Sequence, residues 1–318
     1  MPSKQKHYSQ DIFKTQRYRG LHMGIYLSID IGGTYIKYAL MDEQHRLYNH
    51  QKIETPVNIN HAILKQIETI VENTTVKYEI NGVGISTAGI VDRTEGEIIY
   101  AGPTIKNYKG TAFKSWLTDK YKLPVHVEND VNAALLGEIW KGAARNQNNV
   151  VCITLGTGIG GAHYDHQLKD GFNRQANSVG YLLYDPETQT NYEERASTAA
   201  LHKRIEKELG TEFSVKTVFE HAKDGNESCI SIIVSWAKEV AKGLAQIILI
   251  SDPKCILIGG GVSAQDDYLL KQIQNQLDVF LPDNFLKTEL KIAELFNDAA
   301  LYGAVYPFFN KKKITLFD

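Results

Sequence analysis

One pattern constrains this chain more than any other, because it occurs twice. An apolar strand runs into a glycine turn and a second strand follows, first at 27–40 ("LSIDIGGTYIKYAL") and again at 149–165 ("NVVCITLGTGIGGAHYD"). β-Formers flanking glycines read as hairpins. Each hairpin is followed by strands alternating with helices, so the chain carries a repeat of fold without a repeat of sequence. Two α/β halves with a cleft between them are the simplest packing of such a chain. Ligands of these folds sit beyond the carboxyl ends of strands, which turns the glycine-rich segments toward the cleft.

The coarse elements follow from periodicity. Residues 45–52 extend the first hairpin by a third strand. Ile59, Ile63, Ile67, Ile70 and Val71 recur at helical spacing within 58–74, with Asn58 or Asn60 as cap. Strands are expected at 79–86 and 124–128, and helices at 111–121 and 129–144. After the second hairpin the chain is irregular to about 196. Helices then read at 197–209, 214–223 and 228–251. Residues 255–263 read as a strand, a third glycine turn and then a helix start, and a last helix spans 298–309.

Composition narrows the classes. The 318 residues suffice for two domains, and 43% apolar with 23% charged residues is the profile of a globular protein. A formal net charge of −2 supplies no excess of cations for a nucleic-acid backbone, so no nucleic-acid partner is expected. No apolar run approaches the roughly 18 residues of a membrane span. Cys152, Cys229 and Cys255 are far apart inside apolar segments, which suits reduced thiols in the cytoplasm. Residues 1–22 are polar and basic, lack the apolar core of a secretory signal, and read as a disordered extension.

Three glycine turns punctuate the strands: Gly32-Gly33-Thr34, the segment Gly156-Thr157-Gly158-Ile159-Gly160-Gly161, and Gly259-Gly260-Gly261. Such turns reach positive φ and let an anion approach backbone N–H groups. Together they point to a nucleotide site. None fits the P-loop pattern. Residues 156–161 match G-x-G-x-x-G as a string, but a strand follows them, not the helix of a dinucleotide fold.

Two carboxylates stand beside these turns. Asp30 ends the first strand; it either caps the turn or faces phosphates, where one carboxylate serves a hydrated Mg²⁺. Asp130 opens the helix after "VEN". It is either an ordinary acidic first-turn residue, with Asn129 as the helix cap, or a base that orients an alcohol for phosphoryl transfer. The field of the helix N-terminus is expected to lower its pKa.

With these residues in place the chain resembles the ROK family (repressors, open reading frames and kinases). The resemblance runs from about 24 to 308. It rests on "DIGGT" with Lys37, "GISTAGIVD", "ENDVNAA", "LGTGIGG", "IGGGVS" and "DAALYGAV". It implies the two-lobed actin-like, hexokinase-type (ribonuclease H-like) ATPase fold. A first lobe would span 23–128, with the segment 298–318 packing back on it, and a second lobe 129–297.

The implied activity is ATP-dependent transfer of the γ-phosphoryl group to a hydroxyl, most simply O6, of a hexose, N-acylhexosamine or β-glucoside. Asp130 would be the general base. Ser86, Thr87, Gly89, Asn129, Asp130, Tyr181 and Glu193 would contact sugar. Asp30, Gly32, Gly33, Thr34, Lys37, Gly156, Thr157, Gly158, Gly160, Gly260 and Gly261 would serve ATP, with Asp30 organising Mg²⁺ through water. The resemblance also implies a cytoplasmic homodimer.

Departures from the family pattern matter equally. Ser178 and Tyr181 replace the Glu and His of G-E-x-G-H, Ala88 replaces a Pro, and the zinc-binding cysteine cluster is absent. No zinc site is expected. Tyr181, Leu182, Leu183, Tyr184 and Tyr192 are the apolar mass available to hold 172–196. A repressor of this family would carry a helix-turn-helix before the first hairpin, and residues 1–22 show no such pair of helices. A sugar-sensing regulatory protein without kinase activity is the alternative that the altered 177–181 segment leaves open.

Overall fold

The computed structural model describes residues 24–102 and 104–310. The segment expected to be an extension, 1–22, and the last residues of the 298–318 segment, from 311 onward, lie outside them. In chain order the strands are β1 Ile25–Ile31, β2 Tyr35–Met41, β3 Leu47–Glu54, β4 Ile80–Thr87, β5 Ile90–Asp92, β6 Glu97–Tyr100, β7 Val125–Asn129, β8 Val150–Leu155, β9 Ile159–Asp165, β10 Gln167–Leu168, β11 Cys255–Gly259 and β12 Glu289–Ile292. The helices are α1 Ala62–Thr75, α2 Phe113–Tyr121, α3 Asp130–Lys141, α4 Tyr192–Ala196, α5 Thr198–Leu209, α6 Val215–Lys223, α7 Glu227–Ser251, α8 Asp266–Leu277 and α9 Ala299–Phe309.

Two five-stranded sheets carry the same topology. The first has the order β3-β2-β1-β4-β7 and the second β10-β9-β8-β11-β12. In each, an antiparallel hairpin pair is extended by two parallel strands. The repeat of fold read from the two glycine hairpins is therefore real, and it reaches the fifth strand.

Each sheet buries its own core. Ile29, Ile31 and Ile36 pack with Ile63, Ile67 and Val71 of α1 in the first half. Ile153, Leu155 and Ile256 pack with Trp236, Val240 and Leu244 of α7 in the second. Burying each such aliphatic side chain contributes roughly 1.5–3 kcal/mol before chain entropy is counted. The 25 residues of α7 make the central support of the second half. Its Trp236 Nε1 donates to the carbonyls of Ala196 and Ser197, at 3.0 and 3.1 Å, so a buried polar atom is satisfied.

α3 and α9 join the halves. α9 packs on α3 and on β1 and β4, while Leu135, Ile139 and Tyr306 share a cluster with Val150, Tyr164 and Leu257 of the second sheet. The helices approach closely because a Cβ on Gly303 would overlap the Ala133 carbonyl, and one on Gly137 the Ala299 carbonyl.

Several expectations need correction. Asn58 reaches α1 only from a distance: its Oδ1 accepts the Ile63 amide at 3.2 Å, while left-handed His61 occupies the cap position. The helix start after the third glycine turn leads into α8, whereas the β5–β6 hairpin and β12 have no counterpart in the sequence reading; β5 and β12 have only three and four residues, too short for a clear period. Positive φ, expected of the glycine turns, occurs only in the third, at Gly260 (φ +93°). In the first two, glycine supplies space instead: a Cβ on Gly33 would lie 2.5 Å from Thr104 Cγ2, and one on Gly158 2.5 Å from Glu193 Oε2.

The segment 172–196 is held differently from expectation. Tyr192 is buried and its hydroxyl donates to Val240 O at 2.7 Å. Leu182 and Leu183 pack partly on the core, whereas Tyr181 and Tyr184 are exposed. Arg195 adds hydrogen bonds to the carbonyls of Thr190 and Leu183.

Candidate active site

Sheet register builds the first half of the site. β1 aligns Asp30 with Ser86 of β4, and β4 aligns Ser86 with Glu128 of β7. One row of the sheet thus ends in three polar residues, and the chain leaves β7 through Asn129 directly into α3. Asn129 caps that helix: its Oδ1 accepts the amides of Val131 and Asn132 at 3.0 and 3.1 Å. Its Nδ2 donates to Gly89 O and to Asp130 Oδ1, both at 2.9 Å. The cap therefore fixes the helix start, the loop at Gly89 and the orientation of the Asp130 carboxylate together. Gly89 adopts φ +102°, with Tyr100 O where a Cβ would fall.

Asp130 lies in a cleft cavity of about 690 Å³, walled by both halves. The first half contributes Gly89 and Tyr108, and the junction of β7 with α3 contributes Asn129 and Asp130. The second contributes the turn from Gly156 to Gly161, with Glu193 and Tyr181. A carboxylate at a helix start thus faces a glycine turn across a space in the range of about 300–1,000 Å³ typical of small-molecule sites.

The electrostatics overturn one expectation. Asp130 has its pKa raised to about 6, not lowered. Burial is the main cause and the negative charge of Asp30 the second; the Val131 amide and Asn129 pull the other way without prevailing. Asp30 is raised too, chiefly by burial, although Ser86 Oγ donates to its Oδ1 at 2.9 Å and Lys37 Nζ lies 3.9 Å from its Oδ2. Two acids pushed upward beside one lysine make a place that favours added positive charge.

The remaining expected residues divide into groups. Thr157, Gly158 and Gly160 line the cavity. Glu193 lines it as well, but its Oε2 accepts the Ile159 amide at 3.0 Å, so it also shapes the glycine turn. Tyr181 stands at the wall, its hydroxyl 3.3 Å from that of Tyr100. Ser178 lines it while its hydroxyl donates to Gln175 O at 2.8 Å.

Ser86 and Thr87, expected to touch sugar, are fully buried behind the wall. Ser86 holds Asp30, and Thr87 Oγ1 shares a hydrogen bond of 2.6 Å with the Tyr108 hydroxyl. Gly32, Gly33 and Thr34 form a largely exposed tip; Gly33 abuts Thr104, which is part of the cavity wall. Lys37 Nζ donates to Asn297 Oδ1 at 3.0 Å. Gly260 and Gly261 do not line the cavity. They follow β11, whose Gly259 pairs with Thr154 beside the second turn.

Sequence reasoning missed Tyr100, Tyr108, Asp170 and Arg174, all of which line the cavity. The first two belong to the unrecognised β5–β6 hairpin and the loop after it; the others lie in the irregular stretch. Among the described residues no group of three or more His, Cys, Asp or Glu is gathered to hold a metal. Cys152, Cys229 and Cys255 are buried and unpaired, and burial pushes the Cys152 thiol up to about 12. Among the described residues no helix is long and apolar enough to cross a membrane.

Comparison with known proteins agrees with this geometry. The chain is 31% identical to a β-glucoside kinase of Klebsiella pneumoniae over 290 residues, covering 88% of this chain and 95% of that one. A ROK family glucokinase of Streptomyces griseus, solved with glucose and AMPPNP, superposes with a TM-score of 0.76 at 28% identity, over 88% of this chain and 98% of that one. A Listeria monocytogenes protein proposed to be an N-acetylmannosamine kinase gives 0.81 at 25% identity, over 91% and 99%. The fold is the two-lobed actin-like α/β fold of these sugar kinases. The sequence profile of the ROK family matches residues 26–310, and the chain belongs to that family.

Proposed function

We propose that this protein is an ATP-dependent sugar kinase that transfers the γ-phosphoryl group to a hydroxyl, O6 in the simplest case, of a hexose, N-acylhexosamine or β-glucoside. One observation carries the reading: the Asp130 carboxylate, at the junction of β7 and α3, and the 156–161 glycine turn line the same cleft. The glucokinase neighbour was solved with a sugar and an ATP analogue, which supports ATP as donor.

The residues suit the chemistry. Phosphoryl transfer needs positioning and charge stabilisation more than covalent help. Asn129 Nδ2 turns Asp130 toward the cleft and leaves Oδ2 outside that bond. Asp130 accepts the hydroxyl proton as the new bond forms, and a pKa near 6 makes it a better acceptor than an ordinary aspartate while still ionised at neutral pH. Backbone amides of the 156–161 turn, and Lys37 from the first hairpin, would hold phosphate oxygens. Mg²⁺ fits beside Asp30, a hard oxygen donor in an electronegative corner, and when bound would offset phosphate charge. We place the lobe boundary near 128/129, with α9 belonging to the first lobe, and assign a cytoplasmic homodimer, which light scattering tests.

A second reading, a sugar-sensing regulatory protein without transfer, draws on Ser178 and Tyr181, which give the cavity wall a neutral character where the family pattern has Glu and His. A coupled ADP-release assay over glucose, mannose, N-acetylmannosamine, N-acetylglucosamine, cellobiose and aryl β-glucosides separates the two. ADP release that depends on one sugar supports the kinase; sugar binding without release supports the sensor.

A further inference from the structure

Charge crosses the cleft as well as lining it. Arg93, in the turn between β5 and β6, donates through Nη2 to Asp170 Oδ2 at 2.6 Å, and Asp170 lies after β10 on the opposite half. Arg93 Nε sits 3.6 Å from Glu128 Oε2 on β7. Glu128 uses its other oxygen on the site itself, accepting the Asn129 amide at 2.9 Å and Asn132 Nδ2 at 3.0 Å. Asp170 also meets Arg174 Nη1 at 3.5 Å. Arg174 returns to the first half through Thr94 Oγ1 at 3.4 Å and Asp92 Oδ1 at 3.9 Å. Both Asp170 and Arg174 belong to the cavity wall.

This network is poorly explained as a source of stability. Glu128 is 2% exposed and Asp170 15%, so their desolvation offsets much of the ionic attraction. Arg93 Nε, His126 Nε2 and Glu128 Oε2 are buried without direct hydrogen bonds, an arrangement a purely structural cluster would improve upon. What the network does possess is direction. A guanidinium presents its donors in a rigid fork, and this one faces a carboxylate of each half. The chain Asp170–Arg93–Glu128–Asn129 ends at the base.

We propose that Arg93 is a positioning residue: by holding Asp170 across the cleft while facing Glu128 behind Asn129 and Asp130, it sets the 169–178 loop as the sugar-side wall at a fixed distance from the base. The turnover part of the test rests on the kinase reading; the exchange part does not. Arg93→Ala and Asp170→Ala are each expected to raise the sugar KM at least about tenfold with kcat within about threefold. The double variant should be no worse than the poorer single, the mark of a coupled pair. Arg93→Lys, which keeps the charge but not the fork, should recover part of the loss.

An unchanged KM in Arg93→Ala, or single effects that multiply in the double variant, overturns the proposal. Should Arg93→Ala fold poorly, Asp170→Asn carries the same comparison. If the protein turns over no sugar, the kinase reading fails, and amide exchange in the ligand-free protein decides the inference. Exchange of 168–178 at least about tenfold faster than in the parent in both single variants, and no faster in the double than in the faster single, supports it; exchange unchanged from the parent overturns it.

Discussion

The two sheets share a topology and differ in what their glycine hairpins do. The first hairpin has an exposed tip, and its chemistry is charge: Asp30 at the end of β1, facing Lys37 on β2. The second lines the cavity, and its chemistry is backbone: Gly158 packed on Glu193, with the Ile159 amide already committed to that carboxylate. A duplicated scaffold thus does not duplicate the chemistry. The proposed base stands where β7 of the first sheet passes into α3, and the second hairpin faces it with a shaped main-chain surface. The proposed catalytic arrangement exists only where the halves meet.

Predictions can break this division. The largest effect is expected for Asp130→Asn, which should lose at least about two to three orders of magnitude in kcat while sugar binding persists. Near-normal turnover would remove Asp130 from the role of base. Next is Glu138→Ala. Glu138 is fully buried on α3, and its carboxylate accepts the amides of Ala143, Glu294 and Leu295 at 2.8, 3.2 and 2.7 Å. Removing the buried carboxylate and leaving three part-buried amides unmet should cost roughly 2–4 kcal/mol, measured by denaturant unfolding. A loss below about 1 kcal/mol would show that water replaces the carboxylate.

Gly158→Ala and Gly33→Ala compare the hairpins directly. The same added methyl meets a carboxylate engaged with Ile159 in one and the side-chain end of Thr104 in the other. The first should raise the nucleotide KM about tenfold or more, the second no more than about threefold. Equal effects would erase the distinction drawn here.

The smallest effect concerns pH. The folded-state pKa of Asp130, about 6, lies above its ordinary value of 3.8. The folded protein therefore binds this proton more tightly than the unfolded chain does. The stability so gained is present below the unfolded pKa and is lost as pH rises through about 6. Asp130→Asn should accordingly melt higher than the parent at pH 8, by a margin that vanishes near pH 4. A constant margin across that range in a differential scanning fluorimetry series would refute the shift. In the parent enzyme kcat/KM should fall on the acid side near pH 6.

Much of the fold was legible because periodicity is local. The glycine hairpins, α3 with its Asn129 cap, and the long α7 all announce themselves within a few residues. The short β5 and β12 did not, since three or four residues define no period. The site was legible only where a residue type implied a location. Asp130 after a strand and Gly158 in a turn did so. Ser86 and Thr87 belong to a recognisable segment yet face inward, because the strand's alternation turns Ser86 onto Asp30 and the close of the wall puts Thr87 on Tyr108. Arg93 carried no signal: one arginine after "IVD" says nothing until Asp170 stands opposite.

The order of hydrophobic and glycine-rich segments was enough to determine two α/β halves, the place of the turns, and the acid that opens α3, because these depend on neighbours along the chain. Tertiary structure alone decided the ionisation of Asp130, the inward fate of Ser86 and Thr87, and the charged tie from Arg93 to Asp170. Each of these depends on what burial removes from water and on which charges the fold brings within a few ångströms, and residues 77 apart in sequence carry no local record of that approach.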